Sequence, residues 1–401
     1  MGSPSGPTPI GPESPRTLRL HASLDEIPAA DWDALAGGDG TPAGDDPFTA
    51  HAFLAGLERE GCLAPRYGWT PRHASLHRDG RLVAAAPAYL KTNSHGEFVF
   101  DHAWAHAYVR AGERYYPKWL VAVPYTPVSG PRLLAVDADA RQALASALVA
   151  RAASDGLSSV HVNFHPAAEA AAFGADWCER TDVQFHWRDR GWPDFDAFLA
   201  ALQPRKRKNI RQERQRVARA GVTFRVLHGD EAADADLAAM HGFYRRTFAG
   251  YGNHPALTPG FFRHLAREMP RRLVLFLADR GGETIAGALC LRGADTLYGR
   301  YWGATEDIPG LHFEACYYQG IDYCLREGLA TFEPGAQGEH KIARGFLPVT
   351  THSRHWLADA RFRAPIAGWC AEERAGTASY RDAVLAHSPY LDADPAAAAP
   401  G

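Results

Sequence analysis

The run from Phe332 to Phe346 sets Glu333, Gln337, Glu339, His340, Lys341 and Arg344 among Pro334, Gly335, Gly338 and Gly345. Carboxylates and an imidazole can move protons, while an amide and two cations can hold polar or anionic groups. Glycine and proline turn the chain tightly enough to aim them. The run adds little to a core, yet apolar and aromatic segments flank it on both sides. Polar groups converging within apolar walls are the usual lining of a catalytic or small-molecule site. The other reading is a solvated, glycine-rich connection.

Further clusters bear on the same question. Arg205 to Arg219 holds eight basic residues and one acid, with Ile210, Val217 and Ala218 as apolar anchors on one side. A helix this cationic reads as a contact for a phosphorylated or polyanionic partner, or as a solubilising solvent face. It lacks interleaved aromatics, which argues against stacking on single-stranded nucleic acid. Tyr298 to Gly303, followed by Gly310 to Glu314, combines an aromatic strand with His312 and Glu314 in a first helical turn. Ordinary packing and a helix cap are the alternatives there. The pairs His102/His106, His161/His165 and His352/His355 are spaced for shared faces. However, H-E-x-x-H is absent, the first pair falls in an expected loop, and a three-residue step on a strand splits the third, so no metal site is expected. No G-x-S-x-G, P-loop or Rossmann pattern occurs in a suitable context.

These residues need elements to position them. At 401 residues, with 46% hydrophobic and 22% charged side chains, the chain suits two globular domains. A net charge of −3 gives no global basic field. The six cysteines form no C-x-x-C pair, and several, such as Cys290, sit in apolar runs, so reduced core thiols in a cytoplasmic protein are expected. No segment is apolar for the length of a bilayer span, so no stable membrane insertion is expected. Residues 1–16 and 391–401 read as disordered tails.

In the second half, alternation predicts a strand at 222–228, helices at 232–249 and 259–268, and a meander at 273–279, 284–291 and 296–303. Leu311 to Glu327 reads as a helix stopped by Gly328, with strands following at 329–333 and 350–357. The first half repeats the order loosely: a strand at 18–21, a helix at 47–60 and a hairpin of 74–77 with 82–90. A third strand at 98–100, a helix at 138–154 and a strand at 159–164 follow. Asp194 caps a short helix that Pro204 ends or restarts into the basic stretch.

Pro204 to Arg214, Tyr301-Trp302-Gly303, Leu311 to Gly320 and Phe332 to Phe346 together resemble the FemAB-like bacterial family of predicted N-acyltransferases. The likeness runs from Thr17 to Ser388. It implies a mixed α/β (α+β) fold of two tandem GNAT-like domains, at 17–193 and 221–390, joined by a basic connecting helix at 194–220. Relatives in the wider Fem group move amino acids from aminoacyl-tRNA to amines, commonly on a cell-wall precursor. The likeness therefore implies amide formation, with Glu339, Glu314 and His340 as candidate acid–base groups. Arg300, Trp302, His312, Glu333, Gln337, Lys341 and Arg344 would hold substrate, and Arg207, Lys208, Arg211 and Arg214 donor phosphates. No bound cofactor is implied: the donor is a co-substrate, aminoacyl-tRNA being favoured over acyl-CoA or a carrier protein. Thr305 to Gly310 lacks the Gln/Arg-x-x-Gly-x-Gly/Ala loop of acetyl-CoA-dependent members, and Glu306 and Asp307 would repel a pyrophosphate. Two rivals stand beside this reading: an acyl-CoA-dependent enzyme of small-molecule biosynthesis, and a non-catalytic module recognising a cell-wall or amine ligand.

Overall fold

A computed structural model describes residues 15–36, 46–336 and 338–391. The expected tails lie almost wholly outside them, as does Gln337. The first half contains β1 (Arg16–His21), β2 (Trp69–Pro71), β3 (His73–Arg78), β4 (Arg81–Ala86), β5 (Ala88–Lys91), β6 (Lys118–Val121), β7 (Leu134–Ala135), β8 (Ser159–His165) and β9 (Trp177–Arg188). The second contains β10 (Thr223–His228), β11 (Leu273–Arg280), β12 (Glu283–Arg292), β13 (Thr296–Ala304), β14 (Thr331–Glu333) and β15 (Leu347–Leu357).

β11 to β13 form the antiparallel meander expected from their Gly-containing turns, and β10 adds antiparallel to β11. Helical residues 311–327 then lead to β14, which lies parallel to β13. The first half has the same logic, with helix Ala138–Ser154 leading to β8 parallel to β6. The halves are not separate sheets. β15, from near the end of the chain, lies between β8 and β9 and pairs antiparallel with both. One eleven-stranded sheet results, in the order β10-β11-β12-β13-β14-β9-β15-β8-β6-β5-β2, beside a smaller sheet β1-β3-β4-β7.

A shared core backs this continuity. Leu54, Leu57, Trp69 and Tyr89 of the first half pack in one buried cluster with Phe261, Phe262, Leu275 and Leu289 of the second. The helices involved, His51–Arg59 and Pro259–Glu268, approach so closely that a Cβ on Gly56 would lie 2.4 Å from His264.

Two expectations for the first half need correction. Residues 82–90 are not one hairpin arm: Pro87, which has no N–H to offer a ladder, separates β4 from β5, and the two enter different sheets. Residues 98–100 form no strand. Phe98 has φ 61° and begins a turn into the helix His102–Arg110, so His102 and His106 lie on a helix rather than in a loop. The cause is the buried amine of Lys118, which draws in Glu97 at 2.7 Å, Ser94 at 3.0 Å and Asp101. A buried ammonium needs such partners, and extended backbone could not gather them. β9 and the long helix Ala360–Leu385 carry no clear periodic signal; the helix packs on β9, where Arg180 pairs with Glu373 at 2.6 Å.

Candidate active site at the parting of two strands

β13 and β14 stay in parallel register through Thr296–Thr331, Leu297–Phe332 and Tyr298–Glu333, and then diverge. The strands are close just beyond that point: a Cβ on Gly299 would lie 3.1 Å from Pro334 Cα, so a larger residue there would push the two backbones apart by a few tenths of an ångström. On its other edge β13 bulges. Leu289 faces Tyr301 and Cys290 faces Gly299, so Arg300 is the extra residue, outside the ladder. Its side chain crosses to the first half, donating to the Tyr125 carbonyl at 2.7 Å and lying over the Phe48 ring. Tyr125 has φ 58°, a conformation that costs a non-glycine residue energy and clusters at functional sites. The first half thus builds one wall of the cleft.

The glycine-rich run supplies the other wall as a tight turn, Glu339–Arg344, between Gly338 (φ 112°) and Gly345 (φ 94°). Lys341 points inward at 2% exposure, and its Nζ donates to the Gly335 carbonyl at 2.5 Å. Burial pushes its amine down to about 8, a shift that Cys316 partly opposes. Arg344 is also buried: it donates to Tyr318 Oη at 2.9 Å, the His340 carbonyl at 2.8 Å and Glu213 at 2.7 Å, and stacks on Phe313. It braces the turn.

Beside the turn, His340 Nε2 lies 2.8 Å from Tyr317 Oη, and the rings of Phe313, Tyr317 and His312 surround it. Trp302 closes the group at 5.3 Å from His312. Burial lowers both histidines, helped by His340, Arg344 and Lys341 for His312, which falls to about 4, and by Arg344 and Lys341 for His340. Both imidazoles are therefore neutral at pH 7.

The structure does not bring the three candidate acid–base groups together. Glu339 is exposed on the outer side of the turn, accepting from Tyr380 at 2.7 Å. Glu314 opens the π-turn Glu314–Tyr318 and is buried; its oxygens accept from Arg214 at 3.2 Å and Gln319 at 2.8 Å. Its carboxylate is committed to holding a helix. His340, like Glu339, is exposed, but its ring lies against Phe313, Tyr317 and His312. Glu333 stands at the vertex, with Oε1 3.6 Å from His186 Nδ1. That distance is too long for a hydrogen bond. Burial pushes Glu333 up to about 8 and His186 down to about 3, so both are neutral at pH 7 and this is no ion pair.

The basic helix, Pro204–Arg219, has two faces. Ile210, Glu213, Arg214 and Val217 point inward, whereas Ala218, read as an anchor, is exposed. Arg214 joins Glu314 and Asp322 and stacks on Phe195, so its charge is matched within the protein. Glu213 holds Tyr318 and Arg344. Outward lie Arg205, Lys208, Arg211, Arg216 and Arg219; of these only Arg211 has an acidic partner, Asp196 at 3.1 Å, among the described residues. Arg207 is half-buried and reaches the Leu202 carbonyl at 3.5 Å.

Tyr125, His186, Glu213 and Tyr317 also border this region, and the sequence marks them only weakly. Tyr317 lay inside a noted motif and Glu213 was the one acid in the basic stretch, which was the signal available. Nothing local pointed to Tyr125 or His186, which reach the cleft only through the pairing of the halves. Among the described residues no three His, Cys, Asp or Glu side chains are grouped to hold a metal, and no helix is long and apolar enough to cross a membrane.

The second half runs meander, helix and a parallel strand that splays from its neighbour, and in the first half a helix likewise leads to a parallel strand, a mixed α/β arrangement of two GNAT-like halves. Residues 23–392 match the FemAB-like family, described as peptidoglycan biosynthesis/recognition, and the chain belongs to that family. No curated protein matches the sequence. Solved structures similar in fold include FemX (13% identity, TM-score 0.48, covering 85% of this chain and 98% of that one). A tandem GNAT protein of the clavulanic acid biosynthesis pathway is similar at 12% identity and TM-score 0.47, covering 86% and 99% of the two chains. L-PGS from Bacillus licheniformis matches at 11% identity and TM-score 0.48, covering 78% and 94%.

Proposed function

We propose that the protein is an acyltransferase that forms an amide, moving an acyl or aminoacyl group from aminoacyl-tRNA to an amine, with a cell-wall precursor as acceptor. The observation that carries this reading is the turn beyond the parting of β13 and β14, which holds a buried ammonium against the Gly335 carbonyl and, one residue earlier, an imidazole that burial keeps toward its neutral form. When an amine attacks an ester carbonyl, negative charge builds on the carbonyl oxygen and positive charge on the nitrogen. In this reading Lys341, largely protonated at pH 7, meets the oxyanion. His340 takes the base role ahead of Glu339 and Glu314, because it is neutral and unburdened by an ion pair. Trp302, His312 and Phe313 line the donor side. The family's description, peptidoglycan biosynthesis/recognition, supports a cell-wall acceptor.

The outer face of the basic helix supports a large donor. Lys208, Arg216 and Arg219 are separated from the cleft by the thickness of the helix, while Glu213 and Arg214 face it. Sixteen helical residues span about 24 Å, long enough to follow a nucleic-acid backbone. That face carries no apolar residue larger than alanine, so it offers nothing to insert into a lipid surface.

Purified protein incubated with labelled aminoacyl-tRNA and an amine extract should give amide-linked label that RNase abolishes. Lys208→Glu/Arg216→Glu/Arg219→Glu should weaken tRNA binding and reduce its log–log salt slope by about 2 to 3, without changing Tm. Transfer from acyl-CoA and not from tRNA would overturn the donor. Binding of the amine without any transfer would leave a recognition module.

A further inference from the structure

The chemistry above leaves Glu333 unused, although it occupies the vertex where β13 and β14 part. Its Oε2 is buried and has no hydrogen-bond partner among the described residues. Groups of both signs face it: Asp46, itself pushed toward neutrality by burial, and Asp295 repel a charge there, while Arg300 and Arg188 favour one. Tyr298 stands opposite across the ladder, and neutral His186 offers no cation. Burial outweighs the two arginines. Glu333 is therefore a carboxylic acid at pH 7, and unlike a carboxylate it has a proton to give. Two residues on, the Gly335 carbonyl holds Lys341 and the Gly335 backbone faces that of Gly299 across the parting, while the bulged Arg300 is among the charges acting on the Glu333 carboxyl.

Resting on the acyl-transfer reading, we propose that Glu333 is a catalytic acid that protonates the leaving oxygen of an ester donor. The amine nitrogen bonds to the carbonyl carbon; as the carbon–oxygen bond breaks, the departing alkoxide takes the Glu333 proton. The proton lost by the amine, accepted by His340, returns to Glu333 through solvent, so the products are an amide and an alcohol. A leaving group that is stable as an anion, such as a nitrophenolate, needs no such proton.

That difference provides the test, with hydroxylamine as acceptor and either alanyl-tRNA or alanine 4-nitrophenyl ester as donor. E333Q should lower transfer from alanyl-tRNA by roughly 10²- to 10⁴-fold, the usual worth of a positioned acid, while aryl-ester transfer stays within about threefold of the parent. An equal loss on both donors would make Glu333 merely structural, and no loss on either would make it a spectator; both overturn the proposal. A parent protein inert with both donors would instead bring down the acyl-transfer reading. Infrared spectroscopy gives a second, activity-free reading. A protonated-carboxyl band absent from E333Q should be present at pH 7 and lost by about pH 9, and its absence at pH 7 would overturn the proposal on its own.

Discussion

Replacing Lys341 by methionine should make the protein more stable at pH 7 while abolishing transfer. The amine is 2% exposed, and burial lowers it from 10.5 to about 8. Holding the amine at about 8 rather than 10.5 means that folding with this ammonium charged costs about 3 kcal/mol. Methionine keeps the length and removes the charge but forfeits the bond to the Gly335 carbonyl, worth about 1 kcal/mol. The net expectation at pH 7 is a gain of about 2 kcal/mol. The pH dependence fixes the sign. Below pH 8 both folded and unfolded chains bind the proton, so the cost is constant. Between 8 and 10.5 the unfolded chain holds a proton that the folded one has released, so the stability of the parent rises with pH and the advantage of the variant shrinks. Urea midpoints of both proteins at pH 7, 8.5 and 10 measure this directly. A variant less stable than the parent at pH 7, or an advantage that does not change with pH, would refute the reasoning. So would a variant that retains full transfer.

Two further outcomes follow from the packing. Arg214→Met should cost about 3 kcal/mol, because it strands the buried carboxylate of Glu314, and adding Glu314→Gln should recover part of that loss; a double-mutant cycle in urea checks both. Gly303→Ala should cost about 1–3 kcal/mol or more, since its Cβ would lie 2.1 Å from the Phe243 carbonyl oxygen, whereas Gly242→Ala, with nothing within 4 Å and a helical site, should gain about 0.5–1 kcal/mol by thermal melting.

The second half was legible in the sequence because its strands are short, apolar and separated by glycine turns. The expected 273–279, 284–291 and 296–303 differ from β11, β12 and β13 by at most one residue at each end. β9 was missed because Glu179, Arg180, Thr181 and Asp182 break its alternation, and their partners lie on β15 and the long C-terminal helix, too far along the chain for any local pattern to reveal. The site divides the same way. Lys341, His340 and Arg344 were visible as a polar turn between glycines. Whether Glu339 or His340 faces inward depends on the pitch of a tight turn, and whether Arg214 meets solvent or Glu314 depends on the rotation of a helix. Composition sets neither.

The insertion of β15 between β8 and β9 has a consequence for synthesis. The first half of the chain cannot close its own sheet; the piece it lacks is encoded roughly 170 residues after the end of β9. At 5–20 residues per second the ribosome takes about 8 to 35 s to deliver it. Throughout that interval β8 and β9 each present an open backbone edge, the kind of surface that recruits strands from other chains. A messenger cut short before Leu347 would therefore yield no free-standing first domain, only a polypeptide with a permanent slot.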